Sequence, residues 1–455
     1  MSRRNVQHHS QGHPAAASNQ SHCALALVVA AIIQRSVRIT VSIQYRTRSL
    51  AMTSDSDSST LLAHGGPVSD ISIFDEDNVR NPHPMWSTLR ELGSVVYLST
   101  SDTWVITRYD EVRATLADWQ TYSSAAETVY GEEMGALLGK VPLTTDPPLH
   151  DRLRGILSAK TAPRALKQLG ERVAAHADEL VAEAVEAGSI EAMETLCQRL
   201  PVDTVADLVG LPDEGREILL PGGERMLMTF GPHGDRYAAG MPTVVEFAHY
   251  IKNVTNRDVL KPDSWGTAIL DAVDDGRIQP EDAAPLMSSY LIAGMGTTVH
   301  TLGFYLNNLA RNPQAWAALK ADPSLIGSGF EESIRLDGPA QVLYRGTTRE
   351  VELGGHVIPD GKRIIVSIGS ANRDPRHYSE PDTFDIHRNP VDHLGLGYAT
   401  HGCVGQGLAR LEVRAVMSSL LRRVATLTPA GEPELTHHIP GFSGITRLPI
   451  TLTSE

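Results

Sequence analysis

"HLGLGYATHGCVGQGLAR" runs from His393 to Arg410. One cysteine, Cys403, stands among glycines, and a run of helical spacing follows at once. A lone cysteine is most often a small buried hydrophobe. Its place here points elsewhere. A helix N-terminus offers unpaired backbone N–H groups and a partial positive charge, and both stabilise a thiolate. Gly402 and Gly405 remove side chains on either side, so a flat, bulky group can approach the backbone closely. That geometry serves a thiolate ligating a metal held in a flat macrocycle. It serves a nucleophilic cysteine equally, with His401 two residues away as its base.

The rest of the chain narrows the setting. It has 455 residues, and single cores rarely grow beyond roughly 250–300. It therefore folds as several domains or as one large, mostly helical one. A hydrophobic share of 41% and a charged share of 21% are those of a globular protein in water. The net charge of -14 argues against nucleic-acid binding and against docking on anionic membrane. Cys23, Cys197 and Cys403 are odd in number and far apart. That excludes a disulfide framework and fits a reducing, cytoplasmic setting. The apolar run at 23–33 is shorter than the roughly 20 residues of a membrane span, so no stable insertion is expected. Residues 1–52 read as an N-terminal extension, disordered or a start-site artefact, with Met52 opening the protein. Residues 53–74 read as a flexible lead-in, and 75–455 as the folded domain.

Along that domain, "HPMWSTLREL" (83–92) has helical spacing, and "VVYLS" and "TWVITRY" read as a hairpin. Residues 122–145 are loop-like. A helix is expected from "PLHDRLRGILSAKTAP", with Pro148 near its first turn, and helical spacing dominates 163–210. "GLPDEGR", "LPGGER" and "FGPHGDR" read as turns. A long helix is expected from Pro280, apolar enough in its middle to be buried on most sides. "SLIGSGFEESIRL" is a further helix, followed by three β-rich pieces within 342–368. A last helix runs from near Cys403 past Leu420, and "GITRLPITLT" closes the chain as one strand. The fold class is mainly α with small β-sheets.

At Cys403 the chain resembles the cytochrome P450 family, whose loop reads Phe-Gly-x-Gly-x-His-x-Cys-x-Gly. Here Leu396, Gly397, His401, Cys403, Val404 and Gly405 occupy the loop, and "LAR" follows at 408–410. The resemblance implies a single large domain with a long central helix over haem b, bound without covalent attachment. Cys403 would be the metal ligand. Other matches occur in the family's order. Glu332 and Arg335 in "FEESIR" and Arg388 in "FDIHRNP" would brace the cysteine loop. Taken alone, Glu and Arg three apart on a helix are usually a solvated pair. His150 and Arg154, at i and i+4 on one helix face, would hold haem propionates, with Arg345 and His401 as further partners. Ala293 and Gly294 would lie along the haem. Thr297 would be the oxygen-activating alcohol and Thr298 its neighbour. Without the family, close helix packing through small residues is the lesser alternative for "AGMGTT".

The resemblance implies a haem-thiolate monooxygenase acting on a small organic substrate by hydroxylation or O-dealkylation, aromatic acids among the candidates. NAD(P)H would supply electrons through a ferredoxin and its reductase, docking near Arg410 and Arg414, and the chain would be a monomer. The pocket would draw on residues 122–143, Leu291–Thr298, the turn 339–343 and Phe442. Three departures stand out. Gly296 replaces the usual proton-relaying acid, Leu396 the usual Phe, and Ala399 a glycine. If the backbone at 399 needs positive φ, alanine costs roughly 1 kcal/mol there. Three rivals stay open: a peroxide-using haem enzyme, a haem-binding protein without turnover, and a cysteine hydrolase.

Overall fold

The computed structural model describes residues 65–126, 135, 137–227, 231, 232, 234–436 and 441–455. The readings of 1–52 and of most of 53–74 lie outside the described residues, as does much of the 122–145 loop. Among the longer helices are α1 (His83–Leu92), α2 (Tyr109–Ala117), α3 (Leu149–Thr161), α4 (Pro163–Ala187), α5 (Arg199–Val209), α6 (Leu219–Leu227) and α7 (Asp235–Val254). They continue with α8 (Ala283–Gly294), α9 (Gly296–Arg311), α10 (Ile326–Asp337) and α11 (Gln406–Arg423). The architecture is mainly helical with small sheets, as read.

The largest sheet joins the N-terminal part of the described chain to residues 342–367. Its strands are β1 (Val68–Ser69), β2 (Val95–Leu98), β3 (Thr103–Ile106), β4 (Tyr122–Ser123), β5 (Val342–Thr347) and β6 (Arg363–Ser367). They lie in the order β1-β2-β3-β6-β5-β4. The β2–β3 hairpin sets Val95 opposite Ile106, and β3 then pairs in parallel with β6, Trp104 opposite Ile364. Every residue of β2 and β3 is buried. Apolar residues on both faces demand cover on both faces.

α8 and α9 form the interior rod expected from Pro280, with one break. A single 3-10 turn at Pro280–Asp282 precedes them, and Met295 (φ -101°, ψ -72°) separates them. The break falls in "AGMGTT", where two glycines weaken the helix by about 1 kcal/mol each. Two other readings are corrected. "LPGGER" is not a turn but most of α6. A Cβ on Gly222 would lie 2.5 Å from the Phe247 side chain, and one on Gly223 would meet the Ile292 backbone at 3.5 Å. Those glycines let α6 seat against α7 and α8. The stretch 163–210 is also interrupted, by a short strand at Ser189–Glu191 and a π-turn at Met193–Cys197.

The C-terminal strands are β7 (Val424–Pro429), β8 (Ile445–Arg447) and β9 (Pro449–Ser454). "GITRLPITLT" is two strands, because Leu448 leaves the ladder: its N–H donates to the Glu191 carboxylate and its C=O accepts from Ala192 N–H.

Two buried carboxylates on the helices framing Cys403 contrast sharply. Glu332 on α10 is sealed from solvent together with Arg335. Arg335 donates to both its oxygens, at 2.6 and 2.9 Å, Arg388 donates at 3.1 Å, and the Asp385 N–H at 3.0 Å. The rest of the Arg335 guanidinium is taken by the carbonyls of Asn372, Pro381 and Thr383. The solvated-pair reading is therefore excluded. Glu412 on α11, by contrast, is buried with neither oxygen hydrogen-bonded among the described residues. Burial pushes its carboxyl up to about 8.

Removing Glu332 strands Arg335 in a dry interior and takes a partner from the partly buried Arg388. Glu332→Ala is expected to cost about 3–5 kcal/mol, read as a lower urea midpoint; an unchanged midpoint would contradict this. Glu412 favours the folded state least when charged. Because its folded value lies above the ordinary carboxylate value, stability is lost as pH rises from the unfolded value toward 8. Glu412→Gln should therefore match wild type in thermal midpoint at pH 5 and exceed it at pH 8. A gap that does not widen with pH would refute the assignment.

Candidate functional site

The cysteine loop closes on itself through its own backbone. Gly397 N–H donates to Leu394 O, Gly402 N–H to Ala399 O, and Cys403 N–H to Leu396 O at 2.7 Å. Gly397 turns at φ 71°, and a Cβ there would lie 2.9 Å from His401 O, so glycine is required twice over. Ala399 does adopt positive φ, 53°, in the one-turn 3-10 helix Ala399–His401. The expected strain of about 1–2 kcal/mol is therefore present. Leu396 and Val404 are half-buried and pack against the main core. A Cβ on Gly405 would stand 3.9 Å from the Cys403 sulfur, so its absence keeps that approach open.

The Gly405 and Gln406 N–H groups, opening α11, point at the Cys403 sulfur. The helix end was expected to favour thiolate. Burial nonetheless pushes the thiol up, and those N–H groups, with Arg154 and Arg410, only draw it part of the way back. A coordinated metal would replace the proton outright.

Around this loop converge three of the residues expected to hold propionates. The His150 ring, from α3, lies 4.5 Å from the His401 ring. Arg345, from β5, is 2% exposed and donates Nη1 to its neighbour's carbonyl, Tyr344 O, at 2.7 Å. Its Nη2, His150 Nε2 and His401 Nε2 are all buried without a hydrogen-bond partner among the described residues. Burial lowers Arg345 to about 10. Burial first, then Arg345 and His150, hold His401 down to about 3. Buried orphan nitrogens of this kind are rare. Collected around the cysteine loop, they fit a ligand with anionic arms. Among the described residues, no group of three His, Cys, Asp or Glu is placed to hold a bare metal ion. The residues present thus fit a metal carried in its own macrocycle.

The hydrolase reading fails on the same geometry. His401 turns toward His150 and toward Asp146, 3.9 Å away, and no hydrogen bond joins it to the Cys403 thiol among the described residues. An imidazole held near 3 is a poor base at neutral pH.

The other expected residues lie elsewhere. Ala293 and Gly294 end α8, and Ala293 is exposed although the rod around it is interior. Thr297 and Thr298 begin α9. Their hydroxyls donate to Ala293 O at 2.6 Å and to Gly294 O at 3.4 Å. The turn 339–343 meets Phe442 through a bridge from Ala340. Arg410 is not a free docking cation. It grips Glu331 with two nitrogens, at 2.6 and 3.2 Å, while His393 Nε2 donates to the same carboxylate at 2.9 Å, its Nδ1 accepting from Gly395 N–H.

Glu331 was not singled out in the sequence, although it adjoins Glu332; together the two carboxylates tie α10 to both ends of the cysteine stretch. Asp146 was missed as well. It accepts from Ser123 Oγ and Ser124 N–H and sits beneath His401 and Arg345. Its only mark in the sequence is its place just before Pro147-Pro148 and His150.

Comparison with known proteins agrees with this site. The model of the family described as Cytochrome P450 matches residues 325–452, the span from α10 through α11 to β9. Cytochrome p450 CYP199A2 of Rhodopseudomonas palustris is 37% identical over 396 residues, covering 86% of this chain and 96% of the relative. Vitamin D(3) 25-hydroxylase of Pseudonocardia autotrophica is 30% identical, covering 82% and 94%. The crystal structure of CalO2 superposes with a TM-score of 0.74 at 26% identity, over 84% of this chain and 98% of that one. No helix of the described residues is long and apolar enough to cross a membrane. A similarity that spans nearly the whole of these relatives, and orphaned buried nitrogens gathered around His401 in the cysteine loop, have one common explanation: the chain belongs to the cytochrome P450 family of haem-thiolate monooxygenases.

Proposed function

We propose that this chain inserts one oxygen atom from dioxygen into a small organic substrate, by hydroxylation or O-dealkylation, in the cytoplasm. Electrons come from NAD(P)H through a ferredoxin and its reductase. The observation that carries the reading is the set of three buried nitrogens, on His150, Arg345 and His401, that have no hydrogen-bond partner among the described residues.

Haem b held at this site would supply the redox chemistry that activates dioxygen. The chain's part is to hold and shield. Cys403 offers the single protein ligand, and Leu396 and Val404 keep water from its sulfur. His150, Arg154, Arg345 and His401 bind the two propionates by charge-assisted hydrogen bonds. Gly397 and Gly405 would let the backbone of the cysteine loop lie close to the ring, and the small residues Ala293 and Gly294 would do so from α8. Thr297, with Thr298, holds water and protons at the break in the interior rod. Glu332, Arg335 and Arg388 fix the loop that carries the ligand. A second reading, with peroxide as the oxygen source, rests on Gly296, which offers no acid. Product formed with peroxide against product formed with a redox chain separates the two.

The reduced holoprotein under carbon monoxide should show the red-shifted Soret band of a thiolate ligand. Cys403→Ser should abolish it, and a chain that never takes up haem would end the proposal. Arg345→Leu removes a charge-assisted partner worth about 1.5–3 kcal/mol. Haem transfer to an apomyoglobin acceptor should then speed up about tenfold or more, with the Soret position unchanged.

A further inference from the structure

Resting on the monooxygenase reading, the reaction must balance: substrate, dioxygen, two electrons and two protons give hydroxylated substrate and one water. The two protons have to reach an interior site. On α9 itself, position 296 is glycine and supplies none.

The side chain of an acid from another helix packs beside Gly296. A Cβ built on Gly296 would meet Glu224 Cγ at 3.5 Å, ordinary contact, and Leu220 Cδ1 at 4.0 Å. Glu224 belongs to α6, which the small residues Gly222 and Gly223 allow to seat closely against its neighbours. Its Oε1 lies 3.0 Å from His300 Nε2. His300 is on α9, one turn beyond Gly296 and three residues beyond Thr297, so it borders both on the helix surface. The Glu224 side chain is 29% exposed, while His300 is 4% exposed. The pair thus runs from solvent contact into the interior.

His300 can hold the Glu224 carboxyl in either protonation state. Its Nδ1 lies 3.2 Å from Ile445 O and 3.3 Å from Ile445 N. One residue of β8 therefore offers both an acceptor and a donor to the same ring nitrogen. With the proton on Nδ1 the carbonyl accepts it; with the proton on Nε2 the amide donates to Nδ1. Either tautomer finds a partner without movement of the strand. The ring is confined besides. A Cβ on Gly444 would come within 2.8 Å of it, and Phe442 stands edge-on with centroids 5.5 Å apart.

We propose that Glu224 supplies from α6 the acid that α9 lacks at Gly296, and that His300 is the positioning residue that holds its carboxylate there. A proton from solvent is taken up by the Glu224 carboxylate and passed to the water held at Thr297. Glu224 is reprotonated from solvent after each transfer, so no other group changes.

The test uses haem-loaded protein with a surrogate [2Fe–2S] ferredoxin, its reductase, NADPH and dioxygen, in H2O and in D2O. Glu224→Gln keeps the hydrogen bond to His300 but cannot carry the proton. It should slow NADPH consumption about tenfold or more, as expected for loss of a general acid, and enlarge the solvent isotope effect. Adding Gly296→Asp to that variant should restore the rate to within about threefold. A wild-type rate and isotope effect in Glu224→Gln overturns the proposal, as does a loss that Gly296→Asp does not repair, since that loss is structural. Glu224→Asp serves as a second, milder variant should the first not fold. Independently of turnover, the ¹⁵N imidazole shifts of His300 in the full-length apoprotein should move on Glu224→Gln; unmoved shifts deny the pairing. Absence of the thiolate Soret band would sink the monooxygenase reading, whereas a normal band with unchanged rate and isotope effect sinks only this inference.

Discussion

A carboxylate sealed from water is tolerable only if every lone pair is met, and Glu332 is such a carboxylate. Two arginines and a backbone N–H meet it. Each arginine is in turn committed to carbonyls of the segment 372–383. The arrangement converts an irregular stretch, with no ladder of its own, into a rigid frame. The cysteine stretch leaves that frame at His393 and is pinned a second time, by Glu331 to His393 and Arg410. Position of the sulfur is thus decided by charges that never touch it.

Across the site the electrostatics run the other way. At Glu332 the chain satisfies every group; at His150, Arg345 and His401 it leaves nitrogens without partners among the described residues. Arg345 and His150 discourage a proton on His401, and Asp146 offsets them only in part. Positive potential is stored in a dry corner where an anion meets little screening. Burial that raises the Cys403 thiol belongs to the same arrangement, since water excluded from the sulfur is also excluded from whatever the sulfur binds.

What could be read in the sequence was what local chemistry dictates. The cysteine loop was legible because its glycines, its histidine and its thiol lie within a few residues. The hairpin at 95–106 and the rod after Pro280 were legible from period alone. Glu332, Arg335 and Arg388 were reached only through resemblance, because 56 residues separate Glu332 from Arg388 and no spacing rule bridges them. "LPGGER" misled because glycine marks a turn and a close helix contact alike; only the neighbour, Phe247, tells which. "GITRLPITLT" misled because the residue that splits it, Leu448, bonds to Glu191 from a distant strand. Asp146 and Glu224 carry no signal in their own surroundings. Their meaning lies in His401 and in the bare face of Gly296.

The Thr297 hydroxyl has one proton to give, and it gives it to Ala293 O at 2.6 Å. Its two lone pairs remain free to accept. A hydrogen-bonded chain through this residue therefore has a direction built in at rest: water can point a proton at Thr297, but Thr297 cannot point one onward until it lets go of Ala293. The break at Met295 lies between those two residues. Flexing the rod there lengthens that one bond, so the polarity of the chain and the bend of the helix are a single mechanical variable.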